Sequence, residues 1–276
     1  MPFTKPILIS GGGISSLLLA SSLRSNNIPF IIYERDASPS FRAQGYRLRL
    51  SNEGLDAIEA ALPPEKWEKF WAACGKTGGG DLAAYNAITG ETLEAGGGLV
   101  TLITNVRPEN MNDSDVMFGW TMGGSPGVIE PPNDNYTMVG KPAADIAKHL
   151  SRNWHPRFKP LFDNMVEQES AFWKITCSSP DGVPEWPNEP RVTVIGDAVH
   201  SMTPAGGIGA NTAVRDSELL GRLLAQAGEF KEGITAAYEK EMRVYGSEAV
   251  KTSFRTAQGS LGVVPDLSRT IDPQNV

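Results

Sequence analysis

The chain has 276 residues, carries a net charge of −7, and is 40% hydrophobic and 21% charged. That length supports one large or two ordinary domains with a substantial core, and the composition is globular rather than disordered or fibrous. No basic arm or stripe offsets the acidity, which argues against a nucleic-acid partner.

Two cysteines, Cys74 and Cys177, lie in no CxxC spacing, so no disulfide framework is expected and a reducing, cytoplasmic setting fits. The three histidines, His149, His155 and His200, are scattered. No HExxH or Cys/His cluster suggests a metal.

Lys5 followed by an apolar run as far as Ala20-Ser21-Ser22 has the outline of a secretory leader. Its serines and glycines interrupt the ~20 apolar residues that a membrane span requires. The residues downstream favour another reading. "PILIS" is a short apolar run, as in a strand buried on both faces of a parallel sheet. Gly11-Gly12-Gly13 is a sharp turn, and Ile14, Leu17, Leu18 and Leu23 mark a helix over 14–25. "IPFIIYERD" is a second buried strand. Together these make a βαβ unit, and cleavage of a leader would remove its first strand.

Farther along, "GYRLRLS" alternates like a strand, with Arg47 and Arg49 on its wet face or toward an acidic or phenolic substrate. Leu55, Ile58 and Leu62 mark a helix, and Trp67, Phe70 and Trp71 another after Pro63-Pro64. "DLAAYNAITGETL", "LVTLIT", "DVMFGWTM" and "YTMVG" read as strands of antiparallel hairpins. "AADIAKHLSRNW" reads as a helix, "SAFWKITCSS" as a strand and "RVTVIGDAVH" as a buried strand. Helices follow over 209–227 and 234–258, and the tail from Pro265 lacks periodicity and is expected to be mobile. The tryptophans and phenylalanines at 67, 70, 71, 172 and 173 are assigned to the core.

The turn Gly11-Gly12-Gly13-Ile14-Ser15-Ser16 fits GxGxxG except for serine at the last position. Such a turn brings a pyrophosphate to bare backbone at Gly11 and Gly13, against the positive end of a helix. Glu34 ends the second strand 23 residues after Gly11, close to the ~20 expected of the acid that accepts both adenosine-ribose hydroxyls. Arg35 could stack on adenine or be a solvated neighbour. Over 191–224 a second strand delivers Gly196-Asp197, and a proline-glycine loop then opens a helix near Gly209. A carboxylate there suits a polyol, and a helix N-terminus suits an electron-rich group.

This second segment resembles the one with which group A flavoprotein monooxygenases hold the riboflavin half of FAD. These are relatives of para-hydroxybenzoate hydroxylase, among them fungal salicylate-hydroxylase-like and secondary-metabolite enzymes. The resemblance implies that Asp197 bonds a ribityl hydroxyl and that Pro204 and Gly206-Gly207 pass beside the isoalloxazine. The N–H groups of Gly209, Ala210 and Asn211 would then face its N1–C2=O edge. It also places Gly45 against the cofactor, matches "EKEMRVYGSEAVKTSFRTAQ" to the closing helix, and makes His200 structural.

The implied fold is α/β, with a doubly wound, Rossmann-like FAD-binding domain and a reduced β-rich substrate region. The domain would comprise 1–80 and 186–262, the substrate region 81–185 and the mobile tail 263–276. The implied activity is NAD(P)H- and O₂-dependent hydroxylation or epoxidation of an aromatic or polyketide-like small molecule, without metal. No catalytic acid or base is named. The family's GADGxxSxVR-like segment and most of its substrate sheet have no counterpart between Gly98 and Leu99, so a flavin-binding cyclase, isomerase or inactive remnant stays open. A plain NAD(P) dehydrogenase stays open as well.

Overall fold

A computed structural model describes residues 5–37, 48–75, 84–93, 100–104, 115, 119–124, 128–172 and 175–261. Strand β1 (Ile7–Ser10) leads through the glycine turn into α1 (Ile14–Ser25), which returns to β2 (Phe30–Tyr33). The strands are parallel, with Ile7 opposite Phe30 and Ser10 opposite Tyr33. Helix α2 (Asn52–Ala61) is capped by the Ser51 hydroxyl, which accepts from the Gly54 N–H, satisfying one orphan donor of its first turn. Helix α3 (Pro64–Ala73) begins on proline, whose missing N–H costs nothing there.

Two antiparallel pairs follow: β3 (Ala84–Tyr85) with β4 (Thr92–Leu93), and β5 (Val100–Thr104) with β6 (Trp120–Gly124). Helices α4 (Lys141–Ser151) and α5 (Lys159–Asp163) lie beside them. Edge-to-face contacts of Trp120 and Trp154 with Phe162, at 5.4 and 5.6 Å, join β6 to this helical segment. A single turn, α6 (Asp197–His200), precedes the long helices α7 (Gly209–Ala227) and α8 (Ile234–Leu261).

Helix α7 is the axis of the molecule: α1, α2 and α8 all pack against it. Ile9, Leu19, Leu23, Leu219, Leu220, Tyr238 and Met242 form the main core, and Leu18, Ala57, Ile58, Ala61 and Val214 a second one. Trp67 and Phe70 pack on the second core, whereas Trp71 is 42% exposed. Phe172 pairs with Tyr136. Trp173, Gly45, Arg47 and the tail 263–276 lie outside the described residues.

Several expectations of strand and of burial are corrected. Residues 191–195 form no strand beyond a single bridge between Val192 and Glu189, and 48–51 are not strand. In 136–140 and 170–179, strand pairing among the described residues is limited to the bridge Val139–Ala171. The βαβ strands are not buried on both faces: Ile9 is buried, but Leu8, Ile31 and Tyr33 are 64%, 43% and 58% exposed. Among the described residues the parallel sheet is this one pair, so only its α1 side has a partner layer. Finally, α1 buries only part of the expected face: Leu18 and Leu23 are buried as expected. Ile14 and Leu17 are exposed while Ser15, Ser16 and Ser22 are buried, because small residues let α7 approach closely.

The asymmetry of β1 gives a test. Ile9→Ala should destabilise the protein by about 2–5 kcal/mol, as for other buried isoleucines, whereas Leu8→Thr should change stability by no more than about 0.5 kcal/mol. Urea unfolding of the two variants reads the difference.

Candidate functional site

The first glycine turn is built at the C-terminal end of the parallel pair. The Gly11 N–H donates to the Tyr33 carbonyl at 2.7 Å, which carries the pairing one residue past β1 and holds Gly11 at φ +98°. A side chain in that conformation would be strained. Gly13 then caps α1 with extended backbone and no side-chain acceptor. The first helical bond runs from the Leu17 N–H to the Gly13 carbonyl, so the N–H groups of residues 14–16 have no acceptor within the helix. A Cβ added at Gly11 or at Gly13 would meet nothing within 4 Å. The turn is open space lined by backbone donors at a positive helix end, the environment that suits a phosphate.

Glu34 sits against this turn. Its Oε2 accepts from the Gly12 N–H at 2.5 Å and its Oε1 from the Asp36 N–H at 2.8 Å. A Cβ on Gly12 would come within 3.0 Å of Oε2, so glycine is what permits the contact. The Asp36 and Gly12 backbone donors hold the carboxyl below its ordinary range. The sign follows: this stabilisation is complete above the ordinary value of 4.5 and is lost as pH falls through the lowered one. Each oxygen keeps lone pairs for further donors such as sugar hydroxyls. Arg35 is 79% exposed, with Nε 3.7 Å from Asp36.

The second turn lies directly on the first helix. Gly196 has φ +63°, and a Cβ there would sit 3.2 Å from Ser15 Cβ and 3.7 Å from Ala213 Cβ. Ser15 donates through Oγ to the Ala213 carbonyl at 2.8 Å. The Ser217 hydroxyl donates to the Ser15 carbonyl at 2.7 Å. The two glycine turns, nearly two hundred residues apart in sequence, thus meet at the start of α1.

Beyond Gly196 the chain exposes Asp197 on the first residue of α6, and Pro204 is exposed as well. Gly206 and Gly207, both at positive φ, lead into α7. Gly209 begins that helix without a side-chain cap; Thr212 N–H to Ile208 carbonyl is its first bond. The N–H groups of Gly209, Ala210 and Asn211 therefore have no intrahelical acceptor. The Asn211 side chain also does structural work. It accepts from the Ser51 N–H at 2.8 Å and donates to the carbonyls of Arg49 and Gly207, pinning the approach to α2 onto α7. Gly54 faces it so closely that any Cβ would collide with the amide oxygen.

Sequence reasoning missed Asp216. Its carboxylate is fully buried and takes three donors. Oδ2 accepts from the Gly196 N–H at 2.6 Å and from His200 Nε2 at 2.7 Å, and Oδ1 from the Tyr245 hydroxyl at 2.6 Å. His200 is fully buried too, and its Nδ1 has no partner among the described residues. Burial first, and then the charge of Asp216, push the Tyr238 and Tyr245 hydroxyls far above the ordinary phenol range, so both remain donors. A signal was available: Asp216 shares the helical phase of Thr212, Ala213, Leu219 and Leu220, the buried face of α7.

The two turns make opposite mechanical demands. Gly196→Ala should cost about 1–2 kcal/mol, because it combines a left-handed backbone with crowding against Ser15. Gly13→Ala, whose Cβ enters open space, should leave stability unchanged within about 0.5 kcal/mol. Thermal unfolding of both variants checks this.

Comparison with known proteins agrees with this geometry. Residues 155–253, which include the second turn and its buried carboxylate, match the FAD binding domain family. The dual O-methyltransferase/FAD-dependent monooxygenase CTB3 of Cercospora beticola is 22% identical over 93% of this chain and 46% of its own length. The FAD-dependent monooxygenase cctM of Talaromyces islandicus is 32% identical over 40% of this chain and 29% of its own. The chain spans less than half the length of the relatives of the CTB3 type. The CTB3 match runs over 403 aligned positions, so that relative carries a long stretch within it that has no counterpart here. Among solved structures, 2,6-dihydroxypyridine-3-hydroxylase from Arthrobacter nicotinovorans superposes with a TM-score of 0.57 at 13% identity, covering 100% of this chain and 96% of that one. A Photorhabdus luminescens protein assigned as an FAD-containing monooxygenase gives 0.60 at 20% identity, covering 96% and 99%. The chain is thus similar in sequence to fungal FAD-dependent monooxygenases, matches the FAD binding domain family over residues 155–253, and has a Rossmann-like flavoprotein fold.

Proposed function

We propose that this chain binds FAD non-covalently and acts as an NAD(P)H- and O₂-dependent monooxygenase on an aromatic or polyketide-like small molecule. The observation that carries the reading is the meeting of the two glycine turns, with Gly196 seated on Ser15. It puts an open anion cradle and a second uncapped helix end at one junction. A Cβ at Gly11 or Gly13 would meet nothing within 4 Å and the opening of α1 has no side-chain cap, so the residues present fit a pyrophosphate-bearing cofactor. In this reading 1–80 and 186–262 form the FAD-binding part and 81–185 the substrate region. The N–H groups opening α1 hold the pyrophosphate, and Glu34, kept ionised by its backbone donors, accepts the ribose hydroxyls. Asp197 takes a ribityl hydroxyl. Gly45, outside the described residues, lies by the cofactor.

Bound FAD supplies electron transfer from NAD(P)H to O₂ and insertion of one oxygen atom into an electron-rich substrate. The chain positions that group and excludes water from it. The N–H groups of Gly209, Ala210 and Asn211, at the positive end of α7, favour negative charge on the ring edge they face. Pro204 and Gly206-Gly207 would pass beside the ring, and the two glycines bring no side chain to obstruct it. A cytoplasmic setting is part of the same proposal. Among the described residues no helix is long and apolar enough to cross a membrane.

A second reading, of flavin binding without efficient hydroxylation, is favoured by one specific feature. Among the described residues β1 is paired only with β2, and 191–195 join no sheet. A segment absent between Gly98 and Leu99 would leave the site less covered, and water reaching it would divert oxygen chemistry.

The purified chain should show a flavin absorption spectrum, and heating should release FAD. Glu34→Ala and Asp197→Ala should each weaken FAD roughly ten- to hundredfold, the loss of a charge-assisted acceptor. Gly13→Ala should weaken it without loss of stability. Folded protein that neither retains nor rebinds FAD contradicts the reading. NAD(P)H-driven O₂ uptake should yield hydrogen peroxide in excess of hydroxylated product; uptake fully coupled to product would establish efficient monooxygenation in the short chain.

A further inference from the structure

We propose that Asp216 is a positioning residue for the flavin site, fixing the Gly196 turn so that Asp197 faces the cofactor. The inference rests on the functional reading above and deepens it. Nothing in the second glycine turn is held by a sheet: among the described residues 193–196 pair with no strand. A left-handed glycine followed by a four-residue helical turn has little intrinsic preference for one orientation, so something outside the turn must select it. The structure supplies one strong contact at this point, the Gly196 N–H donating to Asp216 Oδ2 at 2.6 Å.

The anchor is itself rigid. His200, at the far end of the same short helix, donates to the same oxygen, so the carboxylate grips both ends of 196–200. Tyr245 of α8 fixes the other oxygen, and the Arg215 guanidinium lies over the Tyr245 ring at 4.0 Å. Three donors, two from the 196–200 turn and one from α8, fix this buried carboxylate through both its oxygens. Asp216 thus reaches a ligand only through Gly196 and Asp197. Its neighbour on the turn, Asp197, is exposed and is the group that would touch the ligand.

The experiment combines FAD titration with a double-mutant cycle. Asp216→Ala should weaken FAD roughly ten- to hundredfold. Asp216→Asn keeps an acceptor for Gly196 and should weaken it by only about three- to tenfold, since an uncharged acceptor bonds about half as strongly. In an Asp197→Ala background both effects should shrink to less than about twofold, because the contact they support is already gone. Equal losses with and without Asp197, or unchanged affinity in the folded Asp216→Ala protein, would overturn the proposal. If Asp216→Ala does not fold, the Asp216→Asn cycle decides alone.

Amide exchange in the apoprotein separates this inference from the functional reading. The Gly196 amide should exchange at least about tenfold faster in Asp216→Asn, reporting the weaker bond. Unchanged exchange removes the anchor even if FAD binds. A wild-type chain that takes up no FAD overturns the functional reading and with it this role, whatever the exchange shows.

Discussion

The contact between Ser15 on α1 and Ala213 and Ser217 on α7 is the constraint on which the structure depends. It joins the start of the chain to a helix some two hundred residues later, and it does so through backbone carbonyls that accept from side-chain hydroxyls. That geometry requires the helices to approach closely, which only small residues permit. Farther along the same interface a Cβ on Gly221 would fall 2.6 Å from Ser22 Oγ. With the helices this close, a Cβ at Gly196 would crowd Ser15, at 3.2 Å from its Cβ. Both helix N-termini are thereby fixed relative to each other, and the space at Gly11 and Gly13 opens beside them. A valine or leucine at Ser15 or Ser217 would separate the two halves of the site and not merely loosen one packing contact.

Residues 188–196 illustrate how side chains replace a missing ladder. Two buried carboxylates, a tyrosine and Thr235 hydrogen-bond polar groups of this stretch. Glu239, fully buried on α8, accepts from Thr193 Oγ1 at 3.0 Å and from Asn188 Nδ2 at 3.1 Å. Tyr238 donates to the Val194 carbonyl, and Asp216 takes the Gly196 N–H. Burying two carboxylates is costly unless each is fully hydrogen-bonded, and here each carries at least three donors, Arg243 completing the set at Glu239. The two helices thus hold in place a segment that the sheet does not.

The parts of the fold written in short-range pattern were legible in the sequence. Gly11-Gly12-Gly13 between an apolar run and a leucine-spaced segment defines β1, the turn and α1, and the loop ending at Gly209 marks the start of α7. The position of Glu34 just after β2 was legible too, whereas its hydrogen bond to the Gly12 N–H was not read from the spacing. What failed was any inference that needs neighbours. "RVTVI" has the composition of a buried strand, yet strand formation requires a partner edge, and among the described residues its pairing is limited to the bridge between Val192 and Glu189. Leu8 and Ile31 look like core for the same reason and are exposed. Asp216 reads as a surface charge until Gly196, His200 and Tyr245 are known to converge on it.

The central claim is that both glycine turns belong to one FAD site, and hydrogen exchange on the apoprotein during FAD titration tests it most directly. The account predicts slower exchange in 11–17 and in 196–213, saturating together at the same FAD concentration with one FAD per chain. Protection confined to one of these segments, or absent from both in folded protein, would contradict it.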